Sequence, residues 1–448
     1  MSEGKTKNGV RKIEINRQVI SRRGLLRGAG AMGLIASANF WLPAPARANW
    51  EPASPENLRR YNGVSPALIK VAENYSSPNL LGPRMSEDLV ELIRHMYSEK
   101  EAMVLQYLTP WSSKTASQLA REAKRPVAEV QAVLDGVESF QNSLLTFGQD
   151  SAVTFGENSQ WKRYNILPIL PGSFELVLIK PDESKLTDWH REFSRRIAKM
   201  YNAGAFSNYW DRPTEMVRYI PVYPTIRNNP AALPSDKLPA ILDRYTDFGV
   251  GLCQCTTTAK FTDKYCGRPH FTCTIMGEQA KWAISTGAVK RVERQQVLEI
   301  KQQAEEAGLS TWMMNLDDEN FKFNISCSCC GCCCMALRTL TQFNKPGFVA
   351  RPHFMPAINR EKCKKCGTCA EACNTGAHHV TETVSHTHEP ARCIGCGLCA
   401  VACPEGALTM EPVKNYEPPL KSASQILLKK GPNILAGIRE EKRRRRIL

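Results

Sequence analysis

The chain has 448 residues, of which 42% are hydrophobic and 23% charged, and it carries a formal net charge of +15. Its length accommodates two to four domains with sizeable cores, and no run is long and apolar enough to span a membrane. Residues 1–48 hold nine Lys/Arg and two Asp/Glu, so the chain without them has a charge of +8 and only a mild basic balance.

The first 48 residues have the order of an export signal. Arg22 and Arg23 lie in the sequence SRRGLLR, and an apolar run diluted with glycine and alanine follows over 28–42. The sequence Ala-Arg-Ala at 46–48 is typical of a cleavage site. This order resembles a twin-arginine signal peptide, which implies export of the folded chain by the twin-arginine translocase and a periplasmic mature protein that begins at Asn49. The alternatives are an uncleaved amphipathic leader and a chance pair of arginines.

Residues 49–85 are rich in proline, asparagine and serine and predict a linker with one short helix at 65–74. Regular structure begins at Ser86, which is a suitable N-cap. Over 86–170 the apolar spacing predicts three helices and two alternating segments in the order of a winged helix-turn-helix domain: 86–107, 115–123, 127–140, 144–154 and 164–168.

The third of these helices would read DNA in a winged helix, but its charges oppose that role. Residues 127–140 contain Glu129, Asp135 and Glu138 and no lysine or arginine. Such a helix repels phosphates, and export would separate it from DNA. We therefore expect no nucleic acid partner and interpret this domain as a structural or partner-docking module.

Residues 171–250 predict an α/β connecting region. The apolar run at 174–179 predicts a strand, 185–201 an amphipathic helix, 217–226 an edge strand with prolines, and 235–245 a short helix. The region has no glycine-rich phosphate loop and no arrangement of serine, histidine and aspartate that indicates catalysis.

Residues 251–340 are dense in cysteine. Four cysteines open the region and six within eight residues close it: Cys253, Cys255, Cys266, Cys273, Cys327, Cys329, Cys330, Cys332, Cys333 and Cys334. Between these ends, the stretches 276–286 and 293–307 predict a mainly helical hairpin that brings the two ends together.

Ten thiols framing one hairpin suit a soft metal ion or a further iron–sulfur cluster. Adjacent cysteines point in different directions, so one centre cannot use the whole closing run. The predicted ligand set combines cysteines from both ends: Cys253, Cys255, Cys266 or Cys273 with Cys327, Cys330 or Cys333. The alternatives are a redox-active thiol site and inert buried cysteines.

A seventeen-residue pattern occurs twice between residues 361 and 407. Each copy has the spacing C-x2-C-x2-C-x3-C, at Cys363 to Cys373 in the first motif and at Cys393 to Cys403 in the second. In such motifs three thiolates of one loop bind one cubane, and the fourth ligates the neighbouring cluster. The duplicated motif, within 355–413, resembles the bacterial two-cluster ferredoxins.

The resemblance implies two [4Fe–4S] clusters with exchanged fourth ligands: Cys363, Cys366, Cys369 and Cys403 for one, and Cys393, Cys396, Cys399 and Cys373 for the other. Asn374 departs from the usual proline, which is not a ligand, so the implied clusters are unaffected. Zinc or disulfides are the alternative, and a doubled four-cysteine run does not match paired zinc ligands. Each oxidised cluster with its thiolates adds about −2 to the charge of the exported chain.

Between the motifs, residues 378–388 alternate and predict a hairpin that contains four of the eight histidines. His386 and His388 offer a surface metal site, but exposed strand residues are the simpler interpretation. Residues 414–448 predict an extension ending in the basic run KRRRRIL. This run is either a solvated tail or a docking element for an acidic partner or an anionic membrane surface.

Together these elements predict an α+β multidomain protein with a winged-helix-like N-terminal domain, a cysteine-rich, mainly helical middle and a C-terminal ferredoxin-like two-cluster domain. Their order resembles a group of ferredoxin-domain proteins of anaerobic bacteria and archaea.

The predicted function is single-electron transfer between two [4Fe–4S] clusters and a redox protein partner, as a carrier or as a subunit of a periplasmic complex. Eight thiolates for two clusters leave no open coordination for a substrate. The alternative is an oxidoreductase whose centre uses the cysteines of 251–334. Corrinoid reductive dehalogenases share the signal, the length and the two cluster motifs, but they lack this pairing of Cys-x-Cys with a cysteine run. An iron–sulfur transcription regulator would require a non-functional export signal.

Overall fold

The structure, a computed structural model, describes residues 52–76, 82–109, 114–141, 163–164, 166–207, 215–317, 323–381, 386–422 and 425. The predicted signal peptide at 1–48, the alternating segment at 144–154 and the basic run at 442–448 lie outside these residues. No helix within the described ranges is long and apolar enough to cross a membrane.

Helices make up the N-terminal part of the described chain: α1 (Pro55–Arg60), α2 (Pro66–Tyr75), α3 (Glu87–Met96), α4 (Glu99–Leu105), α5 (Ala116–Ala123) and α6 (Val127–Gln141). Serine side chains cap several of them. Ser65 and Ser86 accept from the backbone amides of Leu68 and Leu89, which satisfies donors that a first helical turn leaves unpaired. The short helix predicted at 65–74 is confirmed as α2.

The helix predicted at 86–107 is wrong as a single element, because it breaks after Met96. Tyr97 is extended, and Ser98 starts the next helix. Ser98 Oγ accepts from the Glu101 amide while the Glu101 carboxylate accepts from the Ser98 amide, a capping box that restarts the helix. Apolar residues on both sides of the break lie in one core.

The helix-turn-helix predicted over 115–140 is confirmed in its elements. α5 ends at Ala123, and the left-handed backbone of Lys124 (φ 53) then turns the chain into α6. Strand β1 (Lys114–Thr115) pairs antiparallel with β2 (Arg163–Tyr164). The winged-helix arrangement as a whole stays a prediction, since 144–154 lies outside the described residues.

The connecting region is more helical than predicted. The strand predicted at 174–179 is wrong, because Phe174–Leu178 forms helix α7, with the Gly172 amide donating to Glu175 Oε2. A short apolar run does not by itself distinguish a buried strand from a buried helix. The elements that follow are α8 (Asp188–Asn202), β3 (Val217–Tyr219), α9 (Tyr223–Ile226) and α10 (Leu238–Leu242).

A six-stranded antiparallel sheet dominates the next part, in the order β3-β7-β8-β5-β4-β6. Its strands after β3 are β4 (Phe248–Leu252), β5 (Phe271–Gly277), β6 (Lys290–Val292), β7 (Ser310–Met314) and β8 (Phe323–Cys329). The helices between them are α11 (Gln254–Phe261), α12 (Glu278–Ser285) and α13 (Arg294–Glu306). β3 lies at an edge of the sheet, as predicted, but the strand predicted at 217–226 is too long, because Tyr223–Ile226 forms helix α9.

The mainly helical middle predicted for 251–340 is therefore wrong. Both predicted helices exist as α12 and α13, but β6 separates them and the sheet strands surround them. The strands were not predicted because β5 and β8 contain threonine, serine and cysteine. These residues interrupt the alternation of apolar residues by which a strand is recognised. The two cysteine-bearing ends do meet, because β5 pairs with β8.

Apolar residues cover both faces of this sheet. Ile275 belongs to one cluster with Ala280 and Ala283 of α12. The adjacent Met276 belongs to another cluster with Val297 of α13. This alternation along β5 is the period-two pattern of a strand buried on both faces.

The ferredoxin-like part follows α14 (Met335–Thr341). β9 (Phe354–Ile358) pairs with β12 (Leu408–Pro412), and the two motifs between them form α15 (Thr368–Glu371) and α16 (Leu398–Ala402). The hairpin predicted at 378–388 is confirmed as β10 (His378–His379) paired with β11 (Thr387–His388).

Candidate metal centres

The two cysteine motifs fold into the same local structure. In each, a glycine with a left-handed backbone, Gly367 (φ 85) or Gly397 (φ 76), starts a short helix after the second cysteine. The backbone amide four residues after the fourth cysteine donates to the sulfur of that cysteine, at 3.2 Å for Cys373 and 3.3 Å for Cys403. Glycine adopts this conformation without a steric penalty, so the repeat in sequence is also a repeat in backbone geometry.

One cavity, which we call the first centre, is lined by three cysteines of the first motif and the last cysteine of the second: Cys363, Cys366, Cys369 and Cys403. Cys369 is buried, whereas Cys366 is exposed. Lys364 and Lys365 also line the cavity, so positive charge lies close to the thiols. These four cysteines therefore border one space that draws on both motifs.

The other four cysteines of the motifs form the second centre: Cys373, Cys393, Cys396 and Cys399. Burial raises the pKa of Cys393 to about 12 and that of Cys396 to about 11, and the neighbouring Cys373 adds to both shifts. Burial and the same neighbours also raise the pKa of Cys399. Buried thiols disfavour the free thiolate form, and a bound metal reverses that preference.

A histidine from the hairpin lies at the first centre. His386 Nδ1 is 3.5 Å from Cys363 Sγ, and its Nε2 is 3.5 Å from Cys369 Sγ and 2.8 Å from His378 Nδ1. His386 and His378 are only 3% and 5% exposed. The preferred interpretation of these histidines as exposed strand residues is therefore wrong for His378 and His386. The alternative, a surface metal site through His386 and His388, is also wrong, because His386 faces the cysteine loop and not the solvent.

The ten cysteines of the middle region separate into three groups in space. The first group, the loop quartet, has all its sulfurs within 4.8 Å of one another: Cys266, Cys330, Cys332 and Cys333. Cys266 lies before β5, and the other three lie in the turn after β8. A hydrogen bond from the Cys333 thiol lowers the pKa of Cys330 to about 5.

The second group, the interior quartet, consists of Cys253, Cys255, Cys329 and Cys334. Cys255 hydrogen-bonds with Cys253 and Cys334, and Cys334 also hydrogen-bonds with Cys329. These bonds to Cys255 and Cys329 lower the pKa of Cys334. The Tyr219 hydroxyl lies 3.9 Å from Cys334 Sγ, so the group lies against strand β3.

The third group is the pair Cys273 and Cys327, whose thiols hydrogen-bond between β5 and β8. The fully buried Lys301 lies beside them, with Nζ donating to two carbonyl oxygens, at 2.9 and 3.1 Å, and to one serine hydroxyl at 3.2 Å. Burial lowers the pKa of Lys301, and the two thiols oppose that shift.

The predicted ligand set from 251–334 is therefore not one site, because its members belong to three groups. The expectation that cysteines from both ends meet is correct for every group. Cys327 and Cys329 lie on β8 and the remaining four cysteines of the run lie in the turn beyond it. Because strand β8 was not predicted, the cysteine run at 327–334 gave no indication that its members belong to three groups.

Asn374, which stands where proline is usual, joins the first motif to the cysteine-rich turn. Its Nδ2 donates to a backbone carbonyl and to the Ser310 hydroxyl, both at 2.9 Å. Its Oδ1 accepts from Arg268 at 3.0 Å and from the Gly331 amide at 3.4 Å. A Cβ at Gly331 would collide with the Asn374 carbonyl oxygen. Sequence reasoning noted the substitution but missed this contact, which proline cannot make.

The second centre also packs against the interior quartet. Ile394 and Cys396 of the second motif share an apolar cluster with residues of the sheet and the interior quartet: Tyr219, Cys329 and Cys334. The Cys396 carbonyl accepts the Val222 amide at 2.9 Å. The two groups of cysteines therefore border the same apolar cluster.

Comparison with known proteins supports one part of this description. A family model described as a 4Fe-4S binding domain matches residues 386–409, which contain all four cysteines of the second motif. No curated protein and no solved structure matches the chain significantly. The chain therefore contains an iron–sulfur binding domain near its C-terminus, and its cysteine groups indicate a metal-binding, electron-transfer role.

Proposed function

We propose that this protein transfers single electrons through two [4Fe–4S] clusters. The observation that carries the proposal is the first centre, where Cys403 of the second motif borders the same cavity as three cysteines of the first. Exchange of the fourth cysteine between paired motifs is the arrangement of two-cluster ferredoxins. A zinc site would instead take its four ligands at tetrahedral spacing around one ion.

In this proposal each centre holds one cluster with four thiolates: Cys363, Cys366, Cys369 and Cys403 at the first, and Cys373, Cys393, Cys396 and Cys399 at the second. The clusters would supply reversible one-electron chemistry. His386 lies within hydrogen-bonding reach of two sulfurs of the first centre. Hydrogen bonds to cluster sulfurs and nearby positive charge favour the reduced state, so the two centres differ in potential.

The direct test is the iron and acid-labile sulfide content of the full chain purified without oxygen, with electron paramagnetic resonance of the reduced protein. Two clusters require about eight irons and eight sulfides per chain. A content of about four irons, or zinc in place of iron, contradicts the proposal.

We also propose that the protein works in the periplasm with a redox protein partner, after export through the twin-arginine translocase. The order of residues 1–48 supports this location, and the basic run at 442–448 offers a docking element for an acidic partner or a membrane surface. A fusion of residues 1–48 to a folded reporter should reach the periplasm, and the R22K/R23K variant of the same fusion should not. A fusion that stays in the cytoplasm contradicts this location.

A second candidate function, an oxidoreductase, is favoured by the packing of the second centre against the interior quartet. A redox centre at the interior quartet would receive electrons from the ferredoxin-like part without a separate partner. The C334A variant tests it, with C273A as the control for loss of a buried cysteine. A third cluster would appear as about twelve irons in the native chain and about eight in C334A. Equal iron in both variants and the native chain removes this candidate.

A further inference from the structure

The loop quartet has the spacing of a site for a single ion. Its sulfurs form a closed ring of contacts: Cys266 to Cys330 at 3.8 Å, Cys330 to Cys332 at 3.4 Å, Cys332 to Cys333 at 3.7 Å and Cys333 to Cys266 at 3.6 Å. A tetrahedral ion with four thiolates at about 2.3 Å places the sulfurs about 3.8 Å apart. The two diagonal distances are also within 4.8 Å, so all six edges fit one tetrahedron.

A cubane cluster needs a wider arrangement, because each thiolate binds a different corner iron. The four cysteines of the first centre surround a cavity, as such a wider arrangement requires. Among the described residues, the four sulfurs of the loop quartet all lie within 4.8 Å of one another, whereas the four sulfurs of the first centre do not form such a compact group. The loop quartet is therefore too compact for a cubane and matches one ion.

We propose that the loop quartet binds one soft divalent ion, zinc or iron, in a closed tetrathiolate site. Thiolates select such ions, and tetrahedral sites with four sulfur ligands are occupied by zinc or iron in proteins. Two of the ligands are buried and two, Cys266 and Cys332, are exposed, which gives the ion a path to the site. With zinc the site is structural, and with iron it is a further one-electron carrier.

Such an ion would tie together two separate parts of the sheet region. Cys266 and Cys330 are 64 positions apart in the chain. Gly331, between two ligands, lies against Asn374, and Asn374 follows Cys373 of the second centre directly. The bound ion would therefore fix the turn on which the first motif rests. This inference does not depend on the electron-transfer proposal, because the ion is counted separately from the cluster irons.

The test uses the full chain, purified without oxygen, in its native form and as the double variant C266S/C332S. Metal analysis and X-ray absorption should find one zinc or one extra iron per native chain, with four sulfur neighbours at about 2.3 Å. The double variant should lose this ion and keep the cluster irons. The matched control is C273A, which removes a cysteine of the same region outside the quartet and should keep the ion.

Because the double variant removes two ligands at once, binding of added Co²⁺ to the single variant C332S provides a second measurement. Its thiol is exposed, so the fold should survive, as judged by circular dichroism and by the cluster signals. At the same cobalt concentration, the thiolate-to-cobalt absorption of C332S should be at least tenfold weaker than that of the native chain. Unchanged cobalt absorption, equal metal content in C266S/C332S, or a disulfide within the quartet of the purified protein would overturn the inference.

Discussion

The ferredoxin-like region and the sheet region both gather cysteines, but they do so by different means. In the ferredoxin-like region, the spacing within each loop and the turns at Gly367 and Gly397 place the thiols. In the sheet region, the partners of one group are far apart in sequence, as Cys266 and Cys330 are. Local backbone geometry therefore determines one kind of site, and the pairing of β5 with β8 determines the other.

This difference has a consequence for what each region tolerates. A loop motif keeps most of its ligands together even when its surroundings change, since the ligands are neighbours in the chain. A site assembled from several strands depends on the fold that brings its parts together. Substitutions that act on one region and spare the other test whether the two regions are independent.

The largest effect is expected from Cys403→Ala, which removes the ligand that the second motif contributes to the first centre. The first cluster should lose about one to four of its irons and its paramagnetic signal, because the fourth thiolate has no substitute. The signal of the second cluster should persist. Iron analysis and paramagnetic resonance measure both.

Val401→Ser is the matched control for this change, because Val401 lies on α16, which ends directly before Cys403, and is 58% exposed. It should leave iron content and both signals unchanged. Loss of the second signal alone in C403A would mean that the ligands are not exchanged between the motifs.

The contact between the two regions is tested by Asn374→Pro, which restores the residue usual in such motifs. The variant loses the hydrogen bonds of the Asn374 side chain to Ser310, Arg268 and Gly331. The free energy of unfolding should fall by about 2–4 kcal/mol, since each lost bond contributes about 1 kcal/mol. Denaturant unfolding without oxygen measures it, and iron content should stay the same.

The second motif provides the control for that change. Pro404 occupies the equivalent position and is exposed, so Pro404→Asn should change the free energy of unfolding by less than about 0.5 kcal/mol. Equal destabilisation by N374P and P404N would contradict a docking role for Asn374.

A smaller effect on the same contact is expected from Gly331→Ala. The added Cβ would collide with the Asn374 carbonyl oxygen, so the backbone must shift at a cost of about 1–3 kcal/mol. Gly136→Ala is the control, because nothing lies within 4 Å of a Cβ there and α6 should gain about 0.5–1 kcal/mol. Thermal unfolding of both variants measures the difference, and similar values for the two would show that the turn does not rest on Asn374.

The smallest effect is expected from His386→Gln, which disturbs the contacts of His386 with Cys363 and Cys369. The reduction potential of the first cluster should fall on the order of tens of millivolts, because fewer hydrogen bonds stabilise the reduced state. A redox titration followed by paramagnetic resonance measures the shift. His379→Gln on β10 of the same hairpin, with an exposed side chain, should leave the potential unchanged; equal shifts in both variants would contradict a specific role for His386.

The sequence contained enough information for the parts of the fold that local rules determine. Ser86 predicted the start of α3 and the apolar spacing predicted α12 and α13, because caps and helical periodicity are local. The strands at 271–277 and 323–329 were missed, since their polar and cysteine residues hide a pattern that only the two-sided burial of the sheet explains.

For the site, too, the features that depend on local sequence were predicted and those that depend on distant contacts were not. The resemblance of the two motifs to two-cluster ferredoxins implied two ligand sets, and Cys403 does border the cavity of the first. The division of the middle cysteines was beyond the sequence, because Cys273 meets Cys327 only when β5 pairs with β8. Asn374 looked like a neutral substitution, since its partners lie on segments that are distant in the chain.

The most direct test of the central claim is a coulometric reduction of the full chain, purified without oxygen, at low potential. Two clusters in the ferredoxin-like region should take up about two electrons per chain, and C403A should take up about one with its first-centre signal lost. C266S/C332S, which alters only the loop quartet, should keep the uptake by the clusters. An uptake of about one electron or less by the native chain, or the full uptake by C403A, would contradict the account.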